Sequence, residues 1–208
     1  MRHVFVQGTR PDAPTFVMFH GTGGTERDLL PLAEMISPES SVLGLRGNVL
    51  ENGMPRFFRR LAEGVFDEQD LIARTREVYE YLDEAAEKYG FDRSNLIAVG
   101  YSNGANIIAS LLFHYPSAVK GAILFHPMVP LRNVELPASP GLPVFIGAGT
   151  NDPLVRSSET EELAGLLLGA GAEVTAHWES MGHQLSRAEA EAAKDWYSRQ
   201  FGGSVSQG

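Results

Sequence analysis

The sequence contains no cysteine among its 208 residues. This absence excludes disulfide bonds, thiolate metal sites and cysteine nucleophiles. Long apolar runs are also missing, and none approaches the ~20 residues that a membrane-spanning helix needs. The first residues, MRHVFVQGTR, lack the apolar stretch of a secretory signal. We therefore expect a cytoplasmic protein that does not insert into membranes.

Positive charge is scarce, because 17 Lys and Arg stand against 26 Asp and Glu, for a formal net charge of −9. A nucleic-acid-binding surface needs basic residues that neutralise phosphates, so we predict no nucleic-acid partner. The one local exception is the run Arg56-Phe57-Phe58-Arg59-Arg60. It is either a solvated basic face with two buried rings or a loop that contacts a substrate.

Motifs of nucleotide and metal sites are absent as well. The HGTGG loop of residues 20–24 is followed by Glu26, where a G-x-G-x-x-G fingerprint would need glycine. No G-x-x-x-x-G-K-[ST] and no H-E-x-x-H occurs. The sequence therefore predicts neither a cofactor nor a metal site.

The pattern along the chain predicts one domain of α/β class over residues 1–201, followed by a flexible tail over residues 202–208. Hydrophobic residues make up 43% of the chain and charged residues 21%, which is typical of globular domains. Short β-rich runs alternate with helical patterns, two of which span Glu68–Tyr89 and Asn103–His114. Such alternation predicts a mostly parallel central sheet with helices on both faces.

The ends of this sheet can be predicted in more detail. The first two strands, Val4–Val6 and Thr15–Phe19, are joined by a short loop, so we expect the first strand to be antiparallel. Only a short Pro-rich segment separates the strand ending at Phe125 from the one starting at Val144. No cap domain is therefore expected, and a ligand site should lie open at the carboxyl ends of the strands.

Gly100-Tyr101-Ser102-Asn103-Gly104 matches the pattern G-x-S-x-G. The motif lies between the apolar run LIAV and the helical run ANIIASLLF, which is the setting of a nucleophile elbow in α/β-hydrolases. The alternative is a serine that caps the helix in an ordinary strand–helix turn. In an elbow, the serine is the nucleophile of acyl transfer.

A nucleophilic serine needs a histidine base and an orienting carboxylate, which follow it in the chain order Ser, acid, His. Asp152, in GAGTNDP, comes just after an apolar strand, although a turn before proline would also explain it. His183, in SMGHQLS, lies between the last strand and the last helix. His126 ends a strand at the same rim but precedes Asp152, and His177 is the main rival base. We predict the triad Ser102–His183–Asp152.

Acyl transfer also needs N–H donors for the developing oxyanion. One comes from the residue after the nucleophile, here Asn103, and the other from a loop after an earlier strand. The HGTGG loop follows TFVMF, so we predict the Thr22 N–H as the second donor. His20 is expected to fix this loop by hydrogen bonding.

Together these motifs resemble the phospholipase/carboxylesterase family of α/β-hydrolases, which includes acyl-protein thioesterases. The resemblance extends over nearly the whole chain, through FVMFHGTGG, GYSNGAN, GAGTNDP and MGH, and GMPRFFRRLAEGVFDEQDL looks like the bacterial carboxylesterase branch. It implies an esterase of short-chain carboxylic esters that needs no cofactor, and it implies that homodimers can form. Many thioesterases of the family have Asp and Gln where this chain has Gly24 and Asn103, which disfavours depalmitoylation.

The leading hypothesis is therefore a serine carboxylesterase acting on a small-molecule ester. The alternatives are a thioesterase or acyltransferase with the same triad, and a non-catalytic ligand-binding protein on the same fold. Phe57, Phe58 and Met128 are candidates for the wall of the substrate pocket, and equally for the core.

Overall fold

Strands and helices alternate along residues 1–202, the part of the chain that the computed structural model describes. The strands in this part are β1 (His3–Val6), β2 (Thr15–Phe19), β3 (Val42–Leu45), β4 (Val49–Glu51), β5 (Met54–Arg56), β6 (Arg60–Ala62), β7 (Val65–Phe66), β8 (Leu96–Tyr101), β9 (Gly121–Phe125), β10 (Pro143–Gly149) and β11 (Glu173–Glu179). The helices are α1 (Leu30–Ile36), α2 (Glu68–Tyr89), α3 (Asn103–His114), α4 (Ser157–Gly169) and α5 (Arg187–Phe201), with a 3₁₀ turn at Pro116–Ala118. Residues 203–208 of the predicted tail lie outside the described residues.

Seven strands form one sheet in the order β1-β3-β2-β8-β9-β10-β11. All neighbours pair in parallel except β1, which is antiparallel to β3. The predicted α/β fold with an antiparallel first strand is thus confirmed. The neighbour of β1 is β3 and not the strand that follows it in the chain, because both edges of β2 are already paired, with β3 and β8.

The sheet is covered on both faces, as predicted. One apolar cluster joins the sheet to α2, α3 and α4, and a second joins its other face to α1 and α5. Strands buried on both faces need near-continuous apolar sequence, which explains runs such as TFVMF and GAILF. Among the helices of residues 1–202, none has the length and apolar character that a membrane span requires.

The segment between β3 and α2 is more ordered than its sequence suggests. It forms two small hairpins, β4 with β5 and β6 with β7, which pair within themselves and not with the main sheet. The segment between β9 and β10, residues 126–142, contains neither helix nor strand. In the described chain, the rim at the carboxyl ends of the strands is therefore bordered by these hairpins and by loops, with no cap domain.

The start of α3 lies against the end of β2 at Gly104. A Cβ atom there would lie 2.0 Å from the carbonyl oxygen of Phe19 and 2.6 Å from that of His20. We expect Gly104→Ala to destabilise the fold by about 1–3 kcal/mol, because backbone atoms must move to admit a methyl group. Urea unfolding followed by circular dichroism measures this loss.

Gly165→Ala in α4 is the matched control, since a Cβ at that position meets no atom within 4 Å. There the better helix propensity of alanine should stabilise the protein by up to ~1 kcal/mol. Equal effects of the two substitutions would contradict the close approach at Gly104.

Candidate active site

Four polar side chains follow four neighbouring strands of the sheet. Ser102 comes directly after β8, His126 directly after β9, Asp152 shortly after β10 and His183 shortly after β11. The carboxyl ends of parallel strands meet at one rim, so residues far apart in the chain converge there. Three of these four are the residues predicted as a triad.

Ser102 occupies a strained turn between β8 and α3. Its φ of 52° and ψ of −114° lie in a region that residues other than glycine rarely adopt. Such a conformation costs about 1–3 kcal/mol and persists only where neighbouring contacts enforce it. Here the Ser102 N–H donates to the Phe125 carbonyl at 2.9 Å, which ties the turn to β9.

The side chains of Ser102, His183 and Asp152 form a continuous hydrogen-bonded line. Ser102 Oγ lies 2.8 Å from His183 Nε2, and His183 Nδ1 lies 2.7 Å from Asp152 Oδ2. Because an ionised carboxylate only accepts, Nδ1 carries the proton and Nε2 is left to accept from the serine hydroxyl. The rival base, His177, lies in β11 and bonds to Glu179 instead, at 2.7 Å.

Asp152 is almost fully buried and accepts hydrogen bonds on both oxygens. Its Oδ1 receives the N–H groups of Leu154 and Val155 at 2.8 and 3.1 Å, while Oδ2 faces His183. Burial acts to raise the pKa of Asp152, but the bonds from His183 and the two backbone N–H groups outweigh it, and the pKa is lowered. The carboxylate is therefore ionised at neutral pH.

A second histidine also contacts Asp152. His126 Nδ1 lies 3.0 Å from Asp152 Oδ2, and its Nε2 lies 2.9 and 3.2 Å from the two carboxylate oxygens of Glu189. Glu189 is fully buried and also receives the Ser186 N–H at the start of α5. The site therefore contains a buried line Glu189–His126–Asp152–His183 that the sequence reasoning missed.

His126 bridges two carboxylates, so both of its ring nitrogens donate and the ring is an imidazolium. Burial acts to lower the pKa of His126, but Glu189 and Asp152 together outweigh it and raise that pKa. Burial acts to raise the pKa of Glu189, but His126 and the Ser186 N–H outweigh it, and the pKa of Glu189 is lowered. The sequence signal for Glu189 was the capping box Ser186-x-x-Glu189, which the structure forms.

These pKa shifts predict how stability depends on pH. Asp152 and Glu189 have lowered pKa values, so their contribution is present above about pH 4.5 and is lost as acid protonates them. His126 has a raised pKa, so its contribution is full below about pH 6.5 and is lost as the pH rises through that raised value. We expect the cluster to stabilise the fold most between these limits, as measured by urea unfolding from pH 4 to 9.

Glu189→Gln should lower the free energy of unfolding by about 3–5 kcal/mol near pH 6, because it leaves the buried His126 with one carboxylate instead of two. It should also flatten the decline of stability above pH 6.5. Glu191→Gln, two residues further along α5 and paired with Arg187 at the surface, is the matched control and should cost under ~1 kcal/mol. Similar losses in both variants would contradict a charged cluster.

The two residues predicted to supply oxyanion donors lie beside Ser102. Thr22 and Asn103 both line the pocket that contains Ser102, and within residues 1–202 neither N–H finds a protein acceptor. His20 holds the Thr22 loop, since its Nδ1 contacts the Gly21 carbonyl at 2.6 Å and its Nε2 accepts the Gly47 N–H at 3.1 Å. This is the hydrogen-bonding role expected for His20.

The pocket above Ser102 has a cavity volume of about 60 Å³. Met128 lines it, whereas Phe57 and Phe58 do not and are buried in the core on the α2–α3 side. Their position follows from the hairpins, because the Phe57 N–H donates to Asn103 Oδ1 at 2.8 Å and turns this stretch inward. An aromatic wall is supplied instead by Phe66.

Arg56, at the end of β5, also lines this pocket and is 2% exposed. The basic run containing it is thus not a uniformly solvated face. The Arg56 guanidinium donates to Thr22 Oγ1 and, through Nε, to the Phe58 carbonyl at 3.1 Å. Burial is the main cause that lowers the pKa of Arg56, to about 10, so it stays protonated at neutral pH.

The spacing of His126, Asp152 and His183 is also compatible with a metal ion, because their ligand atoms lie within 4.8 Å of one another. Hydrogen bonds account for the arrangement without one, since both histidines donate to the same carboxylate. A histidine nitrogen binds a metal through a free lone pair, and the two ring nitrogens that face Asp152 carry a proton instead.

Comparison with known proteins agrees with this geometry. Residues 2–199 match the sequence family described as Phospholipase/Carboxylesterase. The chain is 57% identical over 197 residues to MhqD of Bacillus subtilis strain 168, whose name assigns it to the hydrolases, covering 95% of this chain and 98% of that one.

Two solved structures are similar as well. A carboxylesterase from Bacillus cereus superposes with a TM-score of 0.95 at 62% identity, covering 96% of this chain and 94% of that one. YahD, solved with malic acid, superposes with a TM-score of 0.91 at 32% identity, covering 95% and 98%. The chain therefore belongs to the phospholipase/carboxylesterase family of α/β-hydrolases and is an enzyme of the carboxylesterase type.

Proposed function

We propose that Ser102, His183 and Asp152 hydrolyse small, short-chain carboxylic esters through an acyl-enzyme intermediate. The observation that carries this proposal is the hydrogen-bonded line from Ser102 Oγ through His183 to Asp152, with distances of 2.8 and 2.7 Å. These are the distances at which a base can take the hydroxyl proton of a serine nucleophile.

In the first half of the reaction, Ser102 Oγ attacks the ester carbonyl while His183 Nε2 takes its proton. Asp152 keeps the other ring proton on Nδ1 and stabilises the imidazolium that forms. The carbonyl oxygen becomes an oxyanion, which the N–H groups of Thr22 and Asn103 hold. His183 then gives its proton to the leaving alcohol, and the acyl group stays on Ser102.

In the second half, water replaces the alcohol. His183 removes a proton from this water, which attacks the acyl carbonyl and passes through a second oxyanion in the same hole. Collapse of that intermediate returns the proton to Ser102 Oγ and releases the carboxylic acid. No group besides this chain's own residues and water takes part.

The size of the pocket favours small acyl groups. Its cavity volume of about 60 Å³ lies well below the roughly 300–1,000 Å³ of pockets that enclose drug-sized ligands. The absence of helices and strands from residues 126–142 leaves no cap that could enclose a long chain.

The proposal is tested with 4-nitrophenyl esters of increasing acyl length, from acetate to laurate, beside thioesters of the same acids. We expect kcat/KM to be highest for chains of two to six carbons and higher for the oxyesters. A clear preference for thioesters would favour the thioesterase alternative. Failure of a fluorophosphonate to label the folded protein, with no turnover of any ester, would favour the binding protein.

The cytoplasmic location and the homodimer expected from the sequence stay predictions, and we include both in this proposal. The dimer is tested by light scattering across a range of protein concentrations. Neither is needed for the chemistry, because all residues of the proposed mechanism lie on one chain.

A further inference from the structure

Arg56 is a buried cation without a carboxylate partner. The other two arginines of its run are paired, Arg59 with Asp67 at 3.1 Å and Arg60 with Glu51 at 2.9 Å. Within residues 1–202, no carboxylate oxygen comes within 4 Å of the Arg56 guanidinium. Arg56 is nevertheless the most buried of the three, at 2% exposure.

Most of the donors of this guanidinium are unused by the protein. A guanidinium has five N–H groups, and those of Arg56 donate to Thr22 Oγ1 and to the Phe58 carbonyl. The Phe58 ring also lies 5.5 Å below the guanidinium carbon and fixes its plane. The remaining N–H groups belong to a side chain that lines the pocket of Ser102.

The surroundings do not supply a counter-charge inside the pocket. Glu63 is the one carboxylate among the lining residues of the described chain, and it is exposed, so water screens it. Burying a charge without a partner is costly, and proteins normally avoid it. Glu51 acts on Arg56 only at a distance, because it is bonded to Arg60. A buried guanidinium with no bonded carboxylate beside Ser102 is therefore explained if the ligand carries the anion.

We propose that Arg56 binds a carboxylate group of the substrate, so that the preferred esters are those of a molecule that also bears a free carboxylate. The planar fork of an arginine matches the two oxygens of a carboxylate. One unpaired arginine balances one negative charge, which favours a carboxylate over a doubly charged phosphate. This inference rests on the proposed ester hydrolysis, whose substrate class it narrows.

Two pairs of substrates test the inference, each matched in size and different in charge. Mono-(4-nitrophenyl) adipate and 4-nitrophenyl heptanoate differ at the end of the acyl group, and 4-acetoxybenzoate and 4-acetoxybenzamide differ in the alcohol part. We expect the wild-type protein to prefer the anionic member of at least one pair about 10- to 100-fold in kcat/KM, mainly through KM. The pair that shows the preference tells which side of the ester Arg56 contacts.

Arg56→Gln should remove this preference, because it should lower kcat/KM about 10- to 100-fold more for the anionic ester than for the neutral ester. Arg59→Gln is the matched control, because it makes the same change of charge on the same segment, outside the pocket lining. Arg59→Gln should keep the preference of the wild type.

The outcomes separate this inference from the proposed function. Hydrolysis of the neutral esters without any preference for the anionic ones would overturn the carboxylate site and leave the esterase intact. Equal losses for both members of a pair in Arg56→Gln would overturn it too, and would assign Arg56 to holding Thr22 and the oxyanion loop. No hydrolysis of any ester would overturn the proposed function itself.

A measurement on the wild type covers the case in which Arg56→Gln does not fold. Succinamate and succinamide are stable amides of similar shape that differ in one charge. We expect succinamate to inhibit hydrolysis of a neutral ester competitively, with a Ki at least ~10-fold lower than that of succinamide. Equal Ki values would overturn the inference without any substitution.

Discussion

Ser102→Ala should lower kcat for ester hydrolysis about 10⁶-fold, the effect expected when the nucleophile of a serine triad is removed. The alanine leaves His183 and Asp152 in place but gives the base no hydroxyl to activate. A residual rate of ~10³ over water should remain, since the N–H groups of Thr22 and Asn103 still polarise a bound carbonyl. Ester hydrolysis under saturating substrate measures the loss.

Ser117→Ala is the matched control, because Ser117 is exposed and lies in the 3₁₀ turn after α3, away from the pocket. It should retain wild-type kcat and KM and react normally with a fluorophosphonate. A loss below ~10³-fold in Ser102→Ala would mean that another group attacks the ester.

Asp152→Asn should lower kcat about 10⁴-fold. An asparagine presents an N–H₂ group as well as an oxygen, so it can hold His183 in the tautomer that places the proton on Nε2. Ser102 then faces a donor instead of an acceptor. In this chain the substitution also deprives the imidazolium of His126 of one of its two carboxylates.

A pH profile of kcat, measured beside urea unfolding over the same pH range, separates these two consequences. The wrong tautomer of His183 lowers the rate at every pH, whereas a destabilised His126 cluster lowers the unfolding free energy most below pH 6.5. Asp195→Asn, at an exposed position of α5, is the control for the loss of one negative charge and should have wild-type kcat. A loss under tenfold in Asp152→Asn would indicate that Glu189 takes over through His126.

The sequence predicts which residues meet at the candidate site where local pattern and chain order determine it, and their catalytic roles stay predictions. The elbow motif always lies between a strand and a helix, and in α/β-hydrolases the acid and then the base follow the serine along the chain. The bounds of α2 and α3 were also predicted correctly, because Asp67 caps one helix and the elbow starts the other.

Features that depend on tertiary contact were not predictable from pattern. Chain order argued against His126 as the base, because it precedes Asp152. The same order says nothing of a second donor to that carboxylate. The role of Glu189 needs α5 to dock at β9, and a capping box alone does not reveal that. The burial of Arg56 and of the two phenylalanines after it depends on hairpins whose strands, at two or three residues each, are too short to show a period.

The two hairpins between β3 and α2 have a consequence for how such a protein can change. Their strands pair only within the segment and share no ladder with the main sheet. The segment contacts the oxyanion loop and the elbow, since the Pro55 carbonyl accepts the Gly23 N–H and Asn103 Oδ1 accepts the Phe57 N–H. Arg56 and Phe66 lie on this segment, while Ser102, Asp152 and His183 lie on loops that the sheet fixes. The proposed substrate-binding Arg56 and the proposed triad thus lie in different parts of the chain. Grafting residues 47–66 between family members, together with the oxyanion loop that they contact, is the natural way to exchange one while keeping the other.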